Sequence, residues 1–115
     1  MLIKRGEMKT EAREKMRGGE GSVAFVHLVN DYEKEKNLKM MAELTLQPGS
    51  SIGKHNHENE TEYYIILSGS GLVNDNGTEV QVKPGDSIIT GNGDFHSIAN
   101  TGTVPLVFHA IIIFH

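Results

Sequence analysis

From Ser22 onward, apolar and polar positions alternate mostly with a period of two, and the alternation is broken at short intervals by Gly, Pro, Asn and Asp. The segments 22–30 (SVAFVHLVN), 38–46 (LKMMAELTL), 51–57 (SIGKHNH) and 61–67 (TEYYIIL) read as strands. So do 71–75, 78–82, 87–90, 96–100 and 106–114. Asn76-Gly77 between two of them is a two-residue hairpin signal. Gln47-Pro48-Gly49, Lys83-Pro84-Gly85-Asp86 and Gly91-Asn92-Gly93-Asp94 are turns. Eight or nine short strands at this spacing predict an all-β sandwich or barrel.

Residues 1–21 break the pattern. They are polar, and Glu11 to Arg17 is long enough for two helical turns, but the apolar spacing is poor and an isolated helix of that length is marginal. The chain therefore divides into an N-terminal arm, 1–21, and a barrel domain, 22–115. The last strand, Leu106–Phe114, is apolar on both faces. One face serves the core, and the other calls for a cover, for which a second copy of the chain is the natural candidate, so a homodimer is expected.

At 115 residues the chain has the length of one domain. It has no cysteine, which excludes thiolate metal sites, Fe–S clusters and disulfides. Six histidines remain, so any transition-metal site must use imidazole and carboxylate. The formal net charge is −4, which argues against a nucleic-acid partner. The charge is uneven: residues 1–20 sum to +2 and residues 21–115 to −6, and all three arginines (Arg5, Arg13, Arg17) fall in the arm. No apolar run has the length of a membrane span and no leader pattern opens the chain, so the expected location is the cytoplasm, with no membrane partner.

His55 and His57 are two residues apart and share one face of a strand, where two imidazoles can chelate one ion. Glu62 follows the turn Glu58-Asn59-Glu60-Thr61, whose own carboxylates read as solvated, and can fold back to add a carboxylate. His96 arrives from a separate strand. Three His and one Glu make a reasonable inner shell for an octahedral divalent ion with two open positions. A lone His-x-His is common in loops; the wider spacing raises the odds. Gly49, five residues, His55, one, His57, four, Glu62, six, Gly69 form one pattern. Gly85, five, Gly91, one, Gly93, two, His96, three, Asn100 form a second.

These two patterns resemble the signature motifs of the cupin family. The first matches at every fixed position; the second carries Gly91 where the family usually has proline. The resemblance implies a double-stranded β-helix (jelly-roll) barrel. It also implies one divalent transition metal (Mn, Fe, Ni, Co or Zn) bound by His55, His57, Glu62 and His96. Resemblance to small single-domain cupins suggests a metal-dependent decarboxylase, isomerase or dioxygenase on a small carboxylate or sugar-like molecule, oxalate-decarboxylase-like chemistry with manganese among them. The alternative is a non-catalytic binding or sensing module.

Three further residues are candidates. Tyr64 shares the face of Glu62 and can bring a hydroxyl to the site. His109 on the last strand is a candidate acid–base group. An anion is best gripped by a bidentate arginine fork, and none follows residue 17, so Arg17 is the substrate-binding candidate, reaching in from the arm of its own or a partner chain. His115, at the end of the chain, is expected to fray.

Overall fold

The computed structural model describes residues 1–115 and contains ten strands: β1 (Thr10–Glu14), β2 (Ser22–His27), β3 (Leu38–Leu46), β4 (Ser51–Asn56), β5 (Glu60–Ser68), β6 (Gly71–Asp75), β7 (Thr78–Val82), β8 (Ser87–Gly91), β9 (Phe95–Ala99) and β10 (Leu106–Phe114). Three short 3₁₀ turns are the only helical pieces. All pairings are antiparallel. One sheet runs β1-β2-β3-β10-β5-β8 and the other β4-β9-β6-β7. The all-β expectation holds, and each strand read from alternation is present to within a few residues.

The alternation explains the core. On β3, Met40, Ala42, Leu44 and Leu46 point inward; on β10, Leu106, Phe108, Ala110 and Ile112 do. They meet Ile52, Val73, Val82 and Ile98 from the smaller sheet in one apolar cluster. The half of the sandwich nearer β4, β5 and β9 is lined instead by histidine and glutamate.

The arm is built into the large sheet. Thr10–Glu14 pairs along its whole length with β2, from Thr10 opposite Val26 to Glu14 opposite Ser22. None of its residues is buried, so no apolar alternation marked it. Cross-strand contacts hold it: the Arg13 guanidinium stacks over the Phe25 ring at 4.4 Å, and Glu11 bridges to His27. Arg5 pairs with Glu43 farther along the same surface. The C-terminus does not fray. The His115 amide donates to the Asn59 carbonyl and its ring contacts the Thr61 hydroxyl.

His109 departs from its expectation. Inward positions on β10 have the parity of Phe108 and Ala110, which leaves His109 on the outer face with Ile111, opposite Glu43 and Ile65. Its side chain faces away from the interior, opposite to the direction the acid–base expectation required. Both faces of this strand are apolar, and alternation alone offered no choice between them.

Candidate metal centre

A one-residue irregularity in β4 aims the first two candidate ligands. Ile52 is inward, so regular alternation would send Lys54 inward and His55 outward. The register with β9 shifts between Ile52 and His55, and the parity flips. Lys54 turns out and lays its ammonium over the Phe95 ring at 4.2 Å, while His55 and His57 turn in. Beyond the shift, His55 sits directly opposite His96 on β9. Asn59, in the left-handed region at φ 57, reverses the chain into β5 and brings Glu62 inward.

Four donor atoms converge. Nε2 of His96 is 3.0 Å from Nε2 of His57, 3.0 Å from Nε2 of His55 and 2.9 Å from Oε1 of Glu62. Nε2 of His57 is 2.9 Å from the same oxygen and that of His55 is 3.7 Å away. All four side chains are buried, and all four atoms lie within 4.8 Å of one another. Donors held about 2.1 Å from one ion and at right angles stand about 3 Å apart, which is the spacing found here.

The outer hydrogen bonds say which way these atoms face chemically. Nδ1 of His55 donates to the Gly53 carbonyl at 2.7 Å, and Nδ1 of His57 donates to Oε2 of Glu60 at 2.6 Å. In the neutral form that coordination requires, the ring protons of both imidazoles are thus engaged on the far side and their Nε2 lone pairs point inward at a carboxylate oxygen. The Thr90 hydroxyl sits 2.9 Å from Nδ1 of His96. Lone pairs packed this closely repel unless a cation or protons lie between them, so the residues fit a divalent ion.

The ionisation pattern agrees. Burial alone would raise the Glu62 carboxyl, but the three imidazoles outweigh it and hold the group far below the usual carboxylate range. Burial pulls His57 down, yet Glu62 and Glu60 more than compensate and its pKa is raised. For His96, burial dominates and the pKa is lowered. Glu60 is opposed by burial too, but Lys39 at 2.7 Å and His57 keep it ionised and lowered.

Tyr64 lies next to this cluster. Its ring stacks on His96 with centroids 4.6 Å apart and planes 12° from parallel, and it meets Phe108 edge-on. Burial, together with the neighbouring Glu62 carboxylate, raises its pKa well above the ordinary value, so the phenol stays protonated. The Arg17 charge opposes that rise. A cavity of about 540 Å³ opens from the cluster to the arm, bordered by His55, His57, Glu62 and Tyr64 at one end and by Arg13 and Arg17 at the other.

Residues 42–113 match the cupin domain family. The chain is a cupin. Over 113 residues this cupin is 42% identical to the oxalate-binding protein of Thermotoga maritima, covering 98% of this chain and 93% of that one. It superposes with a TM-score of 0.93 on a crystal structure described as a predicted oxalate decarboxylase from Thermotoga maritima, 42% identical and covered in full on both sides. A polyketide cyclase from Streptomyces resistomycificus, 19% identical with a TM-score of 0.76 over 98% of this chain and 78% of that one, shares the fold alone.

Of the residues singled out from sequence, the fold brings His55, His57, Glu62, Tyr64 and Arg17 around one cavity, sets His96 behind them in the same donor cluster, and leaves His109 outside. Sequence reasoning missed Glu60, which is buried rather than solvated; a carboxylate three residues after a ligand histidine was the available signal. It also missed Thr90 and a second polar group in the cavity. There Nε2 of His27 lies 2.6 Å from Glu11 and Nδ1 lies 2.7 Å from the Tyr32 hydroxyl. No local spacing links those three residues.

Proposed function

We propose that this cupin binds one divalent transition metal ion through His55, His57, Glu62 and His96 and there captures a small carboxylate of the oxalate type. The observation that carries the reading is the convergence of three imidazole nitrogens and one carboxylate oxygen at about 3 Å, with the two outer ring protons engaged elsewhere. A bound ion would supply Lewis acidity and two open positions for ligand oxygens. The similarity to an oxalate-binding protein supports the choice of ligand.

The chain's own groups complete the site. Glu62 is ionised and offsets part of the ion's charge. Arg17 lines the cavity and forms no ion pair with any carboxylate, so its guanidinium is free to take a ligand carboxylate. Tyr64 is the protonated hydroxyl beside the cluster, able to donate a hydrogen bond to a ligand held there. The outer face of the large sheet supports a homodimer: Ile89, Tyr63, Ile111 and Met41 are directly paired across β8, β5, β10 and β3, and Ile89 is 62% exposed.

Titration calorimetry with oxalate tests the binding. Metal-loaded protein is expected to bind, metal-free protein not, and Arg17→Ala to weaken the affinity at least about tenfold. Oxalate binding that survives metal removal unchanged would sink the proposal. One observation favours an additional reading, turnover of the captured acid: Tyr64 stacks on His96 and brings a hydroxyl to the cavity beside the cluster. Tyr64→Phe keeps the ring on His96; it should leave oxalate affinity within a few-fold and reduce product formation by about 10²–10⁴-fold. If wild-type protein forms no product from oxalate or related acids, the binding reading stands alone.

A further inference from the structure

The cavity is much larger than the ligand class suggested by the metal centre, and its walls differ from one end to the other. Its 540 Å³ equals roughly eighteen waters at about 30 Å³ each. A two-carbon diacid displaces only a few of these. The inner end is polar and built by His55, His57 and Glu62. Between there and the arm, beside the polar group of His27, Glu11 and Tyr32, runs an apolar strip formed by Met16, Met40, Leu44, Ile52 and Ile112 from four different elements. These side chains offer no hydrogen bonds to the water that would otherwise fill the space. Two cations without carboxylate partners, Arg17 and Lys9, border the same cavity, so an anionic ligand is favoured over a neutral one.

We infer that the ligand is a 2-oxo or 2-hydroxy carboxylate carrying an apolar side chain of several carbons, with oxalate a truncated member of the class. This rests on the proposed metal-dependent capture of a carboxylate. The carboxylate and its neighbouring oxygen would take the two open positions, and the side chain would run along Met40, Leu44 and Ile112 toward Met16. A volume of this size with an apolar strip running between convergent polar groups suits an organic body rather than a two-carbon diacid alone.

The test uses manganese-loaded protein and calorimetric titration with oxalate, pyruvate, 2-oxobutyrate, 2-oxopentanoate and 2-oxohexanoate. Each added methylene buried against the wall should raise affinity about fourfold, so 2-oxohexanoate should bind at least tenfold more tightly than pyruvate. Met16→Trp, on the half-buried arm side of the cavity, should erase most of that gain while oxalate is still bound. Affinity that is flat or falling along the series, with oxalate still bound, overturns this inference and leaves the capture of small carboxylates intact. Failure of oxalate and every 2-oxo acid to bind overturns both. A gain along the series that Met16→Trp does not diminish also counts against the placement, since the side chain would then lie elsewhere.

Discussion

Gly53 and the backbone of Arg17 occupy the same small space: a Cβ added to Gly53 would stand 2.0 Å from the Arg17 carbonyl oxygen. The same glycine accepts the Nδ1 proton of His55 on its own carbonyl. One residue thus joins the metal centre to the turn that carries Arg17, and both neighbours of the missing side chain are backbone, which cannot swing aside. Gly53→Ala should therefore displace the 16–18 turn and cost about 1–3 kcal/mol of stability. Limited proteolysis should cut the arm faster in the variant. Equal cutting rates and an unchanged melting temperature would show that the close approach is not needed.

Glu60 positions His57 and is itself held by Lys39. Partners of this kind fix the tautomer and orientation of a ligand imidazole, and losing one lowers metal affinity about 10–100-fold. Glu60→Gln is the informative change. The amide can still accept the Nδ1 proton but no longer carries the charge that strengthens the bond. Competition with a chelator reads the affinity directly, without any assay of turnover. A variant holding metal as tightly as wild type would reduce Glu60 to a surface-pair residue.

The two shifted histidines give the metal-free protein a particular pH response. His57 has a raised folded pKa, so its contribution is complete below the ordinary imidazole value of 6.5 and is lost as pH rises through the folded value. His96 has a lowered folded pKa, so its contribution is complete above 6.5 and is lost as pH falls through the folded value. Glu62, also lowered, contributes in full above the ordinary carboxylate value of 4.5 and loses that contribution progressively as pH falls below it. Metal-free stability should peak near 6.5. With metal bound the alkaline decline should vanish, because coordination needs the imidazoles neutral and gains as protons leave. Melting temperatures from pH 5 to 9 with and without manganese provide the check; parallel curves would contradict the prediction.

Ile89 on the outer face is 62% exposed and pairs with Tyr63 across β5. If this face joins two copies, Ile89→Glu should break the pair, because two carboxylates would be buried without partners. Light scattering should then fall from twice the chain mass to the 12.7 kDa of one chain. Wild-type protein that is already monomeric at micromolar concentration would remove the dimer altogether.

Strands such as Leu38–Leu46, Gly71–Asp75, Thr78–Val82 and Leu106–Phe114 were legible to the residue, because period-two alternation and turn residues are local properties that tertiary packing did not override here. The cluster of four donors that could hold a metal was legible as well. His-x-His on one strand, Glu62 on the next and His96 near a glycine-rich turn are spacings along the chain. Asp86 capping its turn through the Lys83 amide, and the left-handed φ of 86° at Gly49, followed from residue type in the same way.

Other features depended on partners distant in sequence. Thr10–Glu14 has no apolar face, and only the free edge of β2, with Phe25 and His27 to receive Arg13 and Glu11, makes it a strand. His109 and Phe108 were equivalent by alternation until Leu44 and Ile66 claimed Phe108 for the core. The direction in which His55 and His57 face was hidden too, since a strand's parity is lost at a register shift, and that shift is fixed by the pairing with β9 and the arm packed on Gly53. The chain order therefore dictates which residues are available as ligands, through spacing and side-chain chemistry. The packing of non-adjacent strands dictates which way they point, because each added or missing residue in a strand turns every later side chain to the opposite face.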